Sequence, residues 1–75
     1  MSGTTLDERG RPCPLPVIAL GRALRTLPSG TVVEVLADDP VVRTDIPAWC
    51  SMVGAVLLGM DEGPDGTITS TVRLP

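Results

Sequence analysis

Cys13 lies among three prolines, Pro12, Pro14 and Pro16, in the segment GRPCPLP over residues 10–16. A deprotonated thiol is a nucleophile, and packing a small side chain would not require so restricted a backbone. The residue before a proline is disfavoured in helical geometry, whereas proline is favoured at the first helical position. The segment therefore predicts Cys13 at the N-cap of a helix that begins at Pro14.

This predicted helix end would stabilise the thiolate of Cys13. The N–H groups of Leu15 and Val17 would remain free in the first turn, and the positive end of a helix favours an anion. Arg9 and Arg11 precede the cysteine in the same loop. We expect these groups to lower the pKa of the Cys13 thiol, which would suit it to sulfur exchange at neutral pH.

A second cysteine, Cys50, leaves two other roles for Cys13 open. One is a thiol redox switch through a disulfide between Cys13 and Cys50, which a reducing cytosol disfavours. The other is a binding or regulatory module without covalent chemistry, in which Cys13 is an inert structural residue. Cys50 adjoins Trp49 on a predicted helix, so we interpret Cys50 as core packing and Trp49 as a core residue.

Three aspartates could be mistaken for metal ligands or catalytic acids. Asp38 and Asp39 precede Pro40, a combination typical of turns, and we expect no ion there. Asp45 stands before an apolar helical pattern, where we interpret it as a helix cap. The sequence has no His and only two Cys, too few ligands for a zinc site, so we expect no metal and no cofactor.

The composition predicts one small globular domain. The chain has 75 residues, 43% of them apolar, without Phe or Tyr, so residues 1–75 form one domain, with residues 1–3 expected to be disordered. A net charge of −3 and a single aromatic residue argue against nucleic acid as a direct partner. No apolar run approaches the roughly 20 residues that span a bilayer, and the first residues lack the features of a secretion signal. We therefore expect a cytoplasmic protein that binds no membrane.

The hydrophobic periodicity predicts alternating strands and helices in the order β-α-β-α-β-β. A strand, a helix and a strand in succession imply a right-handed parallel crossover, and the last two strands are expected to form an antiparallel hairpin. Two helices can cover one face of such a sheet, which predicts an α/β (α+β) two-layer sandwich with a four-stranded mixed sheet. The predicted strands span 4–8, 31–37, 55–60 and 67–74. The first predicted helix spans 14–27, and the second begins at a cap at Thr44 or Asp45 and ends at Gly54.

The first predicted helix has a clear apolar side. Val17, Leu20, Leu24 and Leu27 recur at helical spacing, which indicates that they face the core. Gly21 lies on the same side, where the lack of a side chain would permit close approach to the sheet.

Three segments resemble the TusA/SirA-like family of small sulfur-carrier proteins: CPLP at 13–16, ADDP at 37–40 and DIPAWC at 45–50. Their order and spacing match the family across residues 5–74. The resemblance implies the same β-α-β-α-β-β sandwich. It also implies sulfurtransferase-type relay, in which the cysteine of the C-P-x-P motif accepts sulfane sulfur as a persulfide and passes it on, rather than a turnover enzyme acting alone.

The resemblance also assigns residues and partners. The persulfide-bearing cysteine is Cys13, and its supporting motif comprises Pro12, Pro14, Leu15 and Pro16. The implied donor is a cysteine desulfurase or another persulfide, and the acceptor is a downstream protein on a route such as tRNA thiolation or other sulfur-containing biosynthesis. Selenium in place of sulfur stays open.

An exposed stripe on the first helix is the candidate docking surface. Arg22 and Arg25 lie beside Ile18, and Arg11 precedes them in the loop. These four residues would dock an acidic surface of a partner, mainly by increasing the association rate. A merely solvated helix face explains the same pattern. We expect the carrier to be a monomer when free.

Overall fold

The strands and helices follow one another in the predicted order over residues 4–75, which the computed structural model describes. The prediction that residues 1–3 are disordered lies outside this range. The four-stranded mixed sheet with two helices confirms the predicted fold class. The elements are β1 (Thr4–Asp7), α1 (Leu15–Thr26), β2 (Val32–Ala37), α2 (Val42–Val53), β3 (Val56–Glu62) and β4 (Ile68–Arg73).

The sheet has the strand order β1-β2-β4-β3. β1 pairs with β2 in parallel, as the crossover predicted, and β3 pairs with β4 as the predicted antiparallel hairpin. Since β1 and β2 are neighbouring parallel strands, their carboxyl ends lie at the same edge of the sheet. The loops over 8–14 and 38–41, which follow these two strands, therefore meet at that edge.

One face of the sheet packs against the helices. Residues on β2 and β4 alternate between buried and more exposed, so every second side chain points into the core. Each fully buried aliphatic side chain contributes about 1.5–3 kcal/mol through the hydrophobic effect. The predicted packing roles of Trp49 and Cys50 are confirmed, since they are 6% and 3% exposed. The core residues are Leu20, Ala23, Val33, Val35, Ala37, Val42, Ile46, Trp49, Cys50, Ile68, Val72 and Leu74.

Helix α1 faces the core with its predicted apolar side. Leu20 is fully buried, the other three predicted residues are partly buried and pack against the core, and Ala23 is buried as well. The prediction that Gly21 permits close approach to the sheet is wrong, because a Cβ there would meet nothing within 4 Å. Gly21 therefore lowers helix propensity without improving the packing.

Helix α2 begins earlier than the sequence indicated. Its N-cap is Val41, which contributes no side-chain cap, and Asp45 lies in the first turn, so the interpretation of Asp45 as a cap is wrong. The preceding turn already fixes the helix start, because Asp39 Oδ1 accepts the Val41 N–H at 3.0 Å. The predicted end at Gly54 is confirmed by its left-handed φ of 82°, which favours glycine.

The helices of the described chain are short. α1 and α2 have 12 residues each. Among residues 4–75, no helix combines the length and apolar character required to cross a bilayer.

Candidate functional site

The cysteine lies in a turn just before α1 rather than at its N-cap. Pro14 is the N-cap residue, Leu15 begins the helix, and the Cys13–Pro14 peptide bond is cis. The predicted N-cap position of Cys13 is therefore wrong. The reason is a turn that precedes the helix, because the Leu15 N–H donates to the Pro12 carbonyl at 3.0 Å. That N–H is not available to the sulfur, contrary to the prediction.

The proline-rich motif fixes this turn at both ends. Pro12 supplies the carbonyl that accepts from Leu15, while the Pro14 carbonyl accepts the first helical bond from Ile18 at 2.9 Å. Pro16 is fully buried, so the first turn of α1 is anchored to the core. Leu15 is 40% exposed beside it. The motif thus combines a restricted backbone with one apolar side chain on the surface near the thiol.

Two aspartates from the loop after β2 hold the cysteine loop in place. Asp39 Oδ2 accepts the backbone N–H of Cys13 at 3.1 Å, and Asp38 Oδ2 accepts that of Gly10 at 2.9 Å. Backbone N–H groups of Val41 and Cys13 lower the pKa of Asp39, so these bonds are made to a charged acceptor. Hydrogen bonds to a charged acceptor are roughly twice as strong as neutral ones. The prediction that these aspartates form a turn therefore omits their hydrogen bonds to the cysteine loop.

The environment of Cys13 disfavours its thiolate. The thiol is half-buried, and burial is the largest cause that raises its pKa, from 9.0 to about 11. The Asp45 carboxylate adds to this by accepting a hydrogen bond from the thiol, and the charges of Asp45 and Asp39 oppose ionisation further. The predicted lowering of the Cys13 pKa is wrong.

The two arginines that precede Cys13 do not act on its thiol as predicted. Arg9 instead pairs with Asp7, with nitrogen–oxygen distances of 2.8 and 2.9 Å, and this pair lowers the Asp7 pKa to about 2. Neither Arg9 nor Arg11 is among the charges that shift the pKa of Cys13. Burial and the carboxylates of Asp45 and Asp39 act on the thiol instead, which explains why the direction of the shift is opposite to the predicted one.

The second cysteine, Cys50, lies on α2 in the core. Cys50 is buried, and both cysteines are free thiols. Burial raises the pKa of the Cys50 thiol as well. An oxidant would therefore meet a protonated thiol with little exposed surface at Cys50.

Three of the four candidate docking residues line one groove. A surface groove of about 300 Å³ runs between α1 and β1, and Arg11, Ile18 and Arg22 lie along it. Arg25 is exposed in the last turn of α1 but does not line this groove. The rest of the lining is largely apolar: Leu6, Leu15, Ala19, Ala23 and Leu27, together with Thr4, Glu8 and Thr26.

A second groove, of about 220 Å³, opens beside the thiol between α1 and α2. We call it the interhelical groove. Its head is formed by Pro14, the residue after Cys13, and by Asp45, whose carboxylate interacts with the thiol. The other lining residues are Val17, Ala48, Trp49 and Met52.

Sequence reasoning missed the carboxylates that hold the cysteine loop or act on the thiol. Asp38, Asp39 and Asp45 were interpreted only as turn or cap residues. One signal for Asp38 and Asp39 was available: they directly follow β2, a strand predicted to run parallel to the strand before Cys13, so both loops leave the same edge. No comparable signal existed for Asp45, because its position depends on where α2 begins.

Comparisons with known proteins agree with this fold and with the family resemblance of the sequence. The sequence model of a family described as "Sulfurtransferase TusA" matches residues 4–74. The sulfur carrier protein TusA of Pseudomonas entomophila is 47% identical over 58 residues, which are 77% of this chain and 72% of that protein. The sulfur carrier protein TusA of Pseudomonas syringae pv. syringae is 38% identical over 68 residues, 91% of this chain and 80% of that protein. The crystal structure of a SirA-like protein from Desulfitobacterium hafniense has a TM-score of 0.84 at 32% identity, covering 93% of this chain and 95% of that one.

Proposed function

The chain belongs to the TusA family of sulfur carriers, and from that premise we propose that Cys13 accepts sulfane sulfur as a persulfide and relays it to an acceptor. The observation that carries the proposal is the position of Cys13 in a turn held by Asp39 and the proline motif, at the start of a helix and partly open to the surface. A fixed backbone presents the sulfur in one orientation to a docked partner.

The proposed transfer conserves atoms and electrons. The Cys13 thiolate attacks the terminal sulfur of a donor persulfide, a new sulfur–sulfur bond forms on Cys13, and the donor sulfur–sulfur bond breaks. The donor leaves as a thiolate and takes the proton that Cys13 lost, so no external oxidant is needed. The same exchange with an acceptor thiolate would remove the sulfur and restore the Cys13 thiol.

The proposed donor is a cysteine desulfurase, and the acceptor is a downstream protein on a route such as tRNA thiolation. We place this relay in the cytoplasm. The supporting feature for protein docking is the arginine-bearing surface of α1, where Arg11, Ile18 and Arg22 share one groove and Arg25 is exposed nearby. An acidic partner surface would be attracted to it, with the main effect on the association rate.

A loading experiment tests the proposal. The protein is incubated with a cysteine desulfurase and cysteine, and its intact mass is measured with and without reductant. We expect an adduct of one sulfur atom that reductant removes, its loss in Cys13→Ser, and its retention in the matched control Cys50→Ala. Absence of the adduct in the wild type across several desulfurases would contradict persulfide loading.

A binding or regulatory module without covalent chemistry is the second candidate function. The observation in its favour is the raised pKa of Cys13, about 11, which leaves little thiolate at neutral pH. This candidate predicts that Cys13→Ser retains full activity in cells. Loss of activity in that variant, with the fold intact, would exclude it.

A further inference from the structure

We propose that the interhelical groove binds a cationic side chain, a lysine or an arginine, from the protein that delivers sulfur to Cys13, with the cation against Asp45. This inference rests on the sulfur-carrier function proposed above. It assigns a recognition site on the opposite side of α1 from the groove that contains Arg11 and Arg22.

The walls of the groove suit the aliphatic stem of such a side chain. Pro14 and Val17 from α1 and its cap face Trp49 and Met52 from α2. Met52 is 77% exposed, the highest exposure of the large apolar side chains among residues 4–75. Lysine and arginine bury their methylene stems along apolar surface while the charged head reaches a polar end. A volume of about 220 Å³ accommodates one side chain rather than a whole helix.

The head of the groove is negatively charged and lacks a compensating cation. Among residues 4–75 the salt bridges are Arg9–Asp7 and Arg43–Glu62, so Asp45 belongs to neither. Asp45 is half-buried, and the loop after β2 adds the charge of Asp39 near the same thiol. A partly buried carboxylate without a cation gains more from an incoming positive charge than an exposed one does.

Docking of the cation would also change the reactivity of Cys13. The charged groups that act on the thiol are Asp45 from α2 and Asp39 from the loop over 38–41, and both oppose ionisation. A positive charge against Asp45 would offset them and release the thiolate when the donor is in place. The free carrier would then hold a protected thiol, and the bound carrier a nucleophile.

Charged disulfides test the charge preference without any persulfide. The Cys13 thiolate attacks one sulfur of the probe, the probe disulfide breaks, and the leaving thiolate takes the proton, so the mixed disulfide is counted by mass. Cystamine carries two ammonium groups, and 3,3′-dithiodipropionate carries two carboxylates on stems of equal length. The rate of each probe with Cys13 is divided by its rate with glutathione, which serves as a reference thiol. At low ionic strength we expect this ratio to be at least about tenfold higher for cystamine than for 3,3′-dithiodipropionate.

Two aspartate variants assign this preference to the groove. Asp45→Asn should reduce the cystamine preference several-fold, whereas Asp61→Asn, the same charge change at an exposed position on β3, should leave it unchanged. Equal preferences in Asp45→Asn and the wild type would overturn the proposal. Circular dichroism checks that each variant is folded.

A gain-of-charge variant provides an independent test. Ala48 is exposed and lies one turn after Asp45 on α2, so Ala48→Arg places a guanidinium beside that carboxylate. We expect Cys13 of Ala48→Arg to react with iodoacetamide at pH 8 at least about fivefold faster than that of Ala48→Gln, which matches the bulk without the charge. Equal rates in the two variants would contradict the proposal. Because neither test requires persulfide loading, failure here is distinguishable from failure of the sulfur-carrier function.

Discussion

At the scale of single residues, the loop that contains Cys13 is held by groups that also oppose ionisation of its thiol. Asp39 accepts the backbone N–H of Cys13, yet its charge opposes the thiolate on the same residue. The thiol of Cys13 donates a hydrogen bond to the Asp45 carboxylate, whose negative charge also opposes ionisation of the thiol. These contacts therefore hold the Cys13 loop in place and keep its thiol protonated, and a positive charge near the carboxylates would counteract the second effect.

The pH dependence of alkylation follows from this environment. Since the Cys13 pKa is raised from 9.0 to about 11, the folded protein holds about a hundredfold less thiolate at pH 8 than an ordinary cysteine. We expect the iodoacetamide rate at Cys13 to rise with a midpoint near pH 11, and that of the urea-unfolded chain with a midpoint near pH 9. A folded-state midpoint at or below 9 would contradict the assigned role of burial and the two carboxylates.

A buried hydroxyl offers a stability test at the same scale. Ser70 lies on β4 with 0% exposure, and its Oγ has no hydrogen-bond partner among residues 4–75. An unpartnered buried hydroxyl costs about 1–3 kcal/mol of desolvation. We expect Ser70→Ala to increase the free energy of unfolding by about 1 kcal/mol in urea titrations. Thr71→Ala, on the opposite face of β4, is the control and should not stabilise the protein.

At the scale of elements, the sequence predicted the strands and helices but not where the helices begin. Periodicity and β-branched residues indicated the order and the hairpin, because these patterns reflect which side chains a sheet and a helix can bury together. The start of α2 depends instead on a hydrogen bond from Val41 to Asp39, and the start of α1 on the turn between Pro12 and Leu15. Such bonds are set by tertiary geometry and are not visible in a periodic pattern.

The same limit explains the error at the candidate site. Cys13 and its proline motif were identified from sequence, since proline restricts the backbone wherever it stands. The direction of the Cys13 pKa shift was not predicted correctly, because it depends on Asp39 and Asp45. These two residues come close to the thiol only because β1 pairs with β2 and α2 begins early.

Two glycines in or next to helices should respond oppositely to alanine. Gly54 ends α2 with φ of 82°, where a side chain is strained, so Gly54→Ala should lower the free energy of unfolding by about 1 kcal/mol. Gly21 lies inside α1 with open space around it, so Gly21→Ala should raise that free energy by about 0.5–1 kcal/mol. Urea titration measures the free energy of unfolding of both variants. An increase of this free energy in Gly54→Ala would contradict the assignment of Gly54 as the C-cap of α2.

At the scale of the whole molecule, the fold places two grooves on opposite sides of α1. One groove carries Arg11 and Arg22 and suits an acidic partner surface, while the interhelical groove ends at Asp45 and suits a cation. The thiol lies near the end of α1 that both grooves approach. A partner that matched both charges would be oriented with its sulfur toward Cys13.

The carboxylates make the stability of the whole protein sensitive to acid. The pKa of Asp7 is lowered from 3.8 to about 2 by Arg9, and those of Asp39 and Asp65 are lowered by hydrogen bonds. Because these folded-state values lie below the unfolded ones, the stabilisation is complete above pH 3.8 and is lost as the pH falls toward the folded-state values. We expect urea midpoints that are constant from pH 7 to 5 and fall below pH 4. Midpoints that rise on acidification would contradict these assignments.

The position of the transferred sulfur tests the central claim most directly. Cleavage after arginine separates the two cysteines, because Arg22 and Arg43 lie between Cys13 and Cys50. The protein is loaded by a cysteine desulfurase with cysteine, alkylated and cleaved, and each cysteine-containing peptide is weighed. We expect one additional, reductant-sensitive sulfur on the peptide that contains Cys13 and none on the peptide that contains Cys50. Additional sulfur on the Cys50 peptide alone, or on neither peptide, would contradict Cys13 as the sulfur carrier.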